Sequence, residues 1–182
     1  MHPLGQTLIR PSLETDIPTI TEIYRWHVLN GTGTFEVEPP GEAEMARRRT
    51  ELVIKGLPWL VAQVDGVVKA YAYANHFRPR PGYRFCVEDS IYVDQACAGR
   101  GLGRLLLAEL LAVCEARGAR QMLAVIGDSQ NAASIAVHRT LGFAPAGKIH
   151  AAGWKFDRWL DVVLLQKRLG MGSDQGPSEA AA

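Results

Sequence analysis

Three glycines at alternate positions, Gly99, Gly101 and Gly103, stand directly before the amphipathic run LLLAELL, inside the stretch AGRGLGRLLLAELL. A loop without side chains lets backbone N–H groups approach an anion, and a helix launched from it adds unpaired amides and the positive end of its dipole. That chemistry suits a diphosphate. The spacing is not GxxxxGK[ST], and Arg104 stands where GxGxxG needs its last glycine, so both standard nucleotide loops lose support. A plain strand-to-helix turn stays open beside the anion site. Glu88 is a second candidate, because a carboxylate in a largely apolar strand is costly to bury unless it has a partner or a task. The competing reading is an outward-facing residue on an alternating strand. Asn131 reads as a good helix cap, and His138 as a lone histidine on a helix, a setting more often of packing than of chemistry. Cys97 adjoins the glycine loop with no histidine near it in sequence, so a covalent thiol mechanism is not expected. Cys86 and Cys114 read as small core residues. His2, His27, His76 and His150 have no ligand spacing, and no metal is expected.

The elements that must position these groups alternate in type. A short strand around 7–10 precedes a helix with Asp16 as its cap, Pro18 in its first turn and Ile17, Ile20, Tyr24 and Val28 as its apolar positions. GEAEMARRRTELVIKG reads as a more polar second helix whose Arg47, Arg48 and Arg49 form a solvated face. WLVAQV and VVKAYAYA are β-prone runs joined by Asp65-Gly66, a dipeptide suited to the positive φ of a tight hairpin. A third strand is expected over 83–93, then the glycine loop and a helix ending near Gly118. The strand MLAVI, a helix over 131–141 stopped by Gly142, and two β-like stretches around Lys148 and over 158–166 complete the pattern. Hairpins, a βαβα unit and late strands together predict a mixed α/β (α+β) fold.

The chain has 182 residues, 47% hydrophobic, which supports one domain over 1–169 with a respectable core. The tail from Gly170 is small, polar and glycine-rich, and is expected to be disordered. A formal net charge of +1, with both signs mixed throughout, disfavours binding to nucleic acid or to an anionic membrane. Three cysteines without a CxxC pair fit reduced thiols and a cytoplasmic location. No leader pattern and no apolar run of spanning length is visible.

SIYVDQACAGRGLGRLLLAEL followed by NAASIAVHRTLGF resembles the GNAT superfamily of acyl-CoA N-acyltransferases. FRPRPGYRFCVEDSIYV and KFDRWLDVVLLQ narrow the resemblance to its phosphinothricin and methionine sulfoximine acetyltransferase family, over nearly all of 9–169. The resemblance implies a mixed central sheet with a splayed strand pair and flanking helices. It also implies acetyl-CoA as acyl donor, without a metal. The loop 98–103 would hold the pyrophosphate through the amides of Ala98, Gly99, Arg100, Gly101, Leu102 and Gly103. Its glycine pair aligns with Gly101 and Gly103, and Ala98 stands where the family carries Gln or Arg. Losing that one side chain should weaken a site built mostly from backbone amides without abolishing it. Arg100 and Arg104 either add charge or are surface residues. Ile91, Tyr92 and Val93 would pair with the pantetheine arm like an extra strand, helped by Asn131.

Amide formation needs a neutral amine, a polarised thioester oxygen and provision for the departing thiolate. By the resemblance Glu88 is the general base, His138 the general acid toward sulfur, and a backbone amide at Tyr92 or Val93 the oxyanion donor. Arg78 would fork onto an anionic substrate, with Pro79 beside it and Arg80 where relatives often carry an apolar residue. Phe35, Tyr83, Glu88, Asp89 and Ser90 would complete a pocket for a small amino acid, assembled in relatives at a homodimer interface. The expected reaction is direct N-acetylation of a phosphinothricin-like, methionine-sulfoximine-like or methionine-sulfone-like amino acid. A GNAT enzyme for a polyamine, an aminoglycoside or a protein N-terminus is the alternative within the family, and a non-catalytic CoA-binding module the alternative outside it.

Overall fold

A computed structural model describes residues 5–176. Seven strands form one sheet: β1 (Thr7–Pro11), β2 (Trp59–Val64), β3 (Val67–His76), β4 (Cys86–Val93), β5 (Gln121–Gly127), β6 (Ala144–Lys155) and β7 (Arg158–Arg168). The helices are α1 (Ile17–Asn30), α2 (Glu42–Ile54), α3 (Leu102–Ala116) and α4 (Ala132–Thr140). Spatial order is β1-β2-β3-β4-β5-β7-β6. All neighbours pair antiparallel except β4 and β5, which run parallel through the α3 crossover.

Local chemistry explains most boundaries. Asp65 and Gly66 take φ of 50° and 82° and close the β2–β3 hairpin. Gly118 and Gly142 at φ of 89° and 84° end α3 and α4 in the left-handed region. In α3, Leu106, Leu107 and Leu110 are wholly buried against the sheet, each contributing ~2 kcal/mol from area removed from water. From the opposite face α1 supplies Ile20, Tyr24 and Val28. Successive β4 residues confirm this division: Tyr92 meets the Tyr24 ring of α1 at 4.8 Å, while Val93 faces Gly103 of α3.

Three expectations need correction. Asp16 precedes α1, but its carboxylate does not cap that helix; it accepts from the Leu13 amide and pairs with Arg10 at 2.7 Å. The three arginines of α2 are not one solvated face. Arg47 is exposed, Arg48 reaches Glu36 at 2.6 Å, and Arg49 donates to Ser12. The third strand starts at Cys86, because Pro81–Tyr83 form a 3-10 turn that proline initiates. Residues 170–175 form turns and bends, with the Gly172 N–H donating to the Leu169 carbonyl and an Arg168–Asp174 ion pair. The rest of the tail expected to be disordered, 177–182, and His2 lie outside the described residues. No helix among the described residues is long and apolar enough to cross a membrane.

Candidate active site

The site begins with a fork in the sheet. β4 pairs with β3 along its whole length, from His76↔Val87 to Ala70↔Val93. Its pairing with β5 stops at Asp89↔Ala124, so residues 90–93 diverge from 125–127 and expose backbone edge. Antiparallel pairing alternates direction along a strand. Because the Phe77 amide donates to the Cys86 carbonyl and the Asp94 amide to the Lys69 carbonyl, even-numbered β4 residues spend their backbone groups on β3. Ile91 and Val93 therefore turn theirs into the fork, whereas those of Tyr92 face β3. Of the two amides expected to polarise a thioester oxygen, only that of Val93 points into the gap. The Val93 carbonyl accepts from His27 Nε2 at 2.8 Å, a residue absent from the expected site. Burial, reinforced by the charge of Lys155, holds the His27 ring below its ordinary value, against the opposing hydrogen bond to Val93.

A cleft of roughly 710 Å³ occupies the fork and runs out over the glycine loop. Its walls include Ile91, Tyr92, Val93, Ala98, Gly99, Gly101, Leu102, Gly103, Asn131 and His138. Gly99 and Gly101 hold φ of 72° and 87°. Gly103 is helical, and a Cβ there would meet Val93 Cγ2 at an ordinary 3.5 Å. Conformational demand thus falls on Gly99 and Gly101, one step earlier than the glycine pair expected from the resemblance. No side chain caps α3, so its first amides lack an intrahelical acceptor and face an incoming anion. Leu102 is 1% exposed and offers only its main chain. Arg104 lines the cleft, and Arg100 is engaged in a contact of its own. Asn131 caps α4, its Oδ1 accepting from the Ser134 amide at 3.2 Å.

His138 is buried and both of its ring nitrogens are engaged. Nδ1 lies 2.7 Å from the Ser134 carbonyl and Nε2 lies 2.9 Å from Asp89 Oδ2. Burial works against its charge, yet the Asp89 hydrogen bond and charge, with the Ser134 carbonyl, outweigh it and raise the ring above its ordinary value. A direct proton donation by His138 therefore has to break one of these bonds. Asp89, expected among substrate contacts, lines the cleft and turns its side chain to α4, where it binds His138. Glu88, the next residue, turns to the opposite face. Its carboxyl is half-buried, and burial raises it, with the charge of Asp89 adding and that of Arg78 opposing.

The expected substrate residues do not converge on one spot. Arg78, Pro79, Arg80 and Tyr83 lie exposed on the β3–β4 connection, with the Arg78 guanidinium 4.7 Å from the Phe77 ring centre. Ser90 lines the cleft. Phe35 instead covers Gly127 and Gly153, where an added Cβ would sit 2.9 and 2.4 Å from its ring. Gly127 is four residues beyond the register partner of Glu88, roughly 13 Å along the strand. Sequence reasoning also missed Lys155. It is 3% exposed and donates to the carbonyls of Gly31 and Thr34 at 2.8 and 2.9 Å, fixing the loop that carries Phe35. These partners are more than a hundred residues away in sequence, so no local signal marks the lysine.

A fork between two parallel strands beside an uncapped helix start is the architecture of an acyl-CoA N-acyltransferase. The family model for acetyltransferases (GNAT) matches residues 20–143. The chain is 46% identical over 169 residues to phosphinothricin N-acetyltransferase of Alcaligenes faecalis, covering 93% of this chain and 86% of that one. It is 37% identical over 161 residues to the L-methionine sulfoximine/L-methionine sulfone acetyltransferase of Salmonella typhimurium, covering 88% and 94%. Among solved structures, a GNAT superfamily phosphinothricin acetyltransferase from Sinorhizobium meliloti in complex with AcCoA superposes with a TM-score of 0.93 at 48% identity, covering 95% and 94%. The chain belongs to the acetyltransferase (GNAT) family.

Proposed function

We propose that this protein is an acetyl-CoA-dependent N-acetyltransferase whose acceptors are small amino acids of the phosphinothricin, methionine sulfoximine or methionine sulfone kind. The observation that carries the reading is the β4–β5 fork, with the Ile91 edge and the Val93 amide turned into it and the bare turn of Gly99 and Gly101 at its mouth. An extended amide-bearing arm adds to such an edge as a strand does, and the unpaired amides of α3 suit its diphosphate end. The relatives named above support the acceptor class.

In this reading Glu88 takes the proton of the substrate ammonium, directly or through water. A raised carboxyl keeps more proton affinity than an exposed one, which suits a group that takes a proton. The Val93 amide polarises the thioester oxygen. His138 serves the departing sulfur, and Arg78 anchors the acidic head group of the substrate. We assign the protein to a single domain over 1–169, to the cytoplasm and to a homodimer. The separation of Phe35 from the exposed 78–83 loop supports a pocket completed by a second copy, and so does the aromatic tip of the β6–β7 hairpin, where Trp154 and Trp159 are 54% and 63% exposed.

Thiol release from acetyl-CoA, measured over phosphinothricin, methionine sulfoximine, methionine sulfone and spermidine, tests the function. Turnover with the first three and none with spermidine is expected; activity confined to spermidine, or cofactor binding without turnover of any amine, would refute it.

A further inference from the structure

The buried pair Asp89–His138 sits where the fork opens, and its hydrogen bonding constrains its protons. The Ser134 carbonyl can only accept, so His138 Nδ1 carries hydrogen. Nε2 and Asp89 Oδ2 share one further proton across 2.9 Å, and where the carboxylate is the acceptor that proton lies on Nε2. Among the described residues the second carboxylate oxygen, Asp89 Oδ1, is buried without a hydrogen-bond partner, and His138 is the group that balances the carboxylate charge at close range. An unpaired buried carboxylate oxygen is expensive, and the imidazolium is what offsets it. Phe143 closes the site, its ring perpendicular to His138 at 5.0 Å.

The other ionisable groups that sense the pair are few. Glu88 precedes Asp89 on β4 but faces the other side of the sheet, and the Asp89 charge helps raise it. From α3, burial pushes the Cys114 thiol up to about 12, against the charge of Arg117 and with that of Asp89 adding, so it stays neutral. The β5 residues alongside, Leu123, Ala124 and Val125, carry no charge.

Resting on the acetyltransferase reading, we propose that Asp89 is a positioning residue that keeps His138 doubly protonated with both N–H bonds committed, so that the histidine meets the departing thiolate with its charge and not with its proton. The amine nitrogen attacks the thioester carbonyl carbon, the C–N bond forms, and the C–S bond breaks with its electron pair left on sulfur. The ammonium proton that Glu88 took first is released to solvent water before attack, and the second proton, surplus once the C–N bond forms, passes to Glu88 and from it to water. The thiolate leaves beside the imidazolium and takes a proton from bulk water after release. His138 is unchanged over the cycle and needs no reprotonation.

Two measurements test this. Side-chain 15N NMR of the ligand-free wild type, with His138 assigned by loss of its signal in His138→Asn, is expected to show a doubly protonated ring at pH 7.5. In Asp89→Asn, which keeps an acceptor oxygen but removes the charge, the ring is expected to be neutral at that pH. Turnover of Asp89→Asn is expected to fall on the order of 10-fold to 100-fold at pH 8 with the KM for acetyl-CoA nearly unchanged. The ratio of variant to wild-type kcat should rise as pH drops toward 6, where the imidazolium forms without help. A neutral His138 in the wild type overturns the proposal, and so does a pH-independent kcat ratio, the mark of a merely structural residue. The wild-type titration requires neither a variant nor turnover. It therefore decides the point even if Asp89→Asn folds poorly, and absence of turnover with every amine would sink the acetyltransferase reading while leaving the NMR result standing.

Discussion

Glu88 and Arg78 make the sharpest predictions at the scale of single residues. Glu88→Gln should lower kcat about 10²-fold to 10⁴-fold, the usual contribution of a positioned base, while calorimetry finds acetyl-CoA affinity intact. Because Glu88 is raised, the acid limb of kcat/KM should lie above the ordinary carboxylate range, whose reference is 4.5. Arg78 opposes that rise, so Arg78→Ala should move the limb to higher pH as well as raise the KM for the amino acid. A limb that stays put in Arg78→Ala would show that the two charges do not communicate. His138 adds a stability signature. A histidine raised on folding contributes stability that is fully present below its unfolded value near 6.5 and is lost as pH rises through its folded value. The melting gap between wild type and Asp89→Asn should accordingly narrow toward alkaline pH. The placement of Glu88 on a strand and His138 on a helix was legible from local pattern. The Asp89–His138 contact was not legible, since strand alternation alone says that Asp89 faces away from Glu88 but not that a histidine 49 residues later waits there.

Among the elements, the glycine loop separates conformation from sequence pattern. Gly101→Ala forces an L side chain to φ of 87°, a strain of roughly 1–2 kcal/mol, and should weaken acetyl-CoA binding measurably by calorimetry. Gly103→Ala meets only an ordinary contact with Val93 and should bind nearly as wild type. Equal losses in the two variants would contradict the assignment of the demand to the turn. Asn131→Ala should destabilise the fold by about 1 kcal/mol through its lost cap, read by urea unfolding. Helices and hairpins were readable here because caps, left-handed glycines and apolar periodicity are local. The start of β4 was not, because a β-prone run over 83–85 yields to the proline-initiated turn at Pro81–Tyr83.

Over the whole molecule, what escaped the sequence is contact between distant segments: Lys155 beneath the 31–34 loop, Phe35 on Gly127 and Gly153, His27 on Val93. Lys155→Met leaves two carbonyls without their donor and should lower stability by ~1–3 kcal/mol, with a raised KM for the amino acid as the loop loosens. Sedimentation of the wild type is expected to show a dimer, and an entirely monomeric active enzyme would exclude a pocket shared between copies. The fork has a mechanical meaning too. Only four register pairs join β4 to β5, so β1–β4 and β5–β7 meet along a short seam. A ligand that fills the gap acts as mortar between the two halves, and at a hundredfold excess over its Kd it should add ~2.7 kcal/mol of stability. Slowed amide exchange should then appear on both banks of the seam, at Ile91 and Val93 on one side and along β5 on the other.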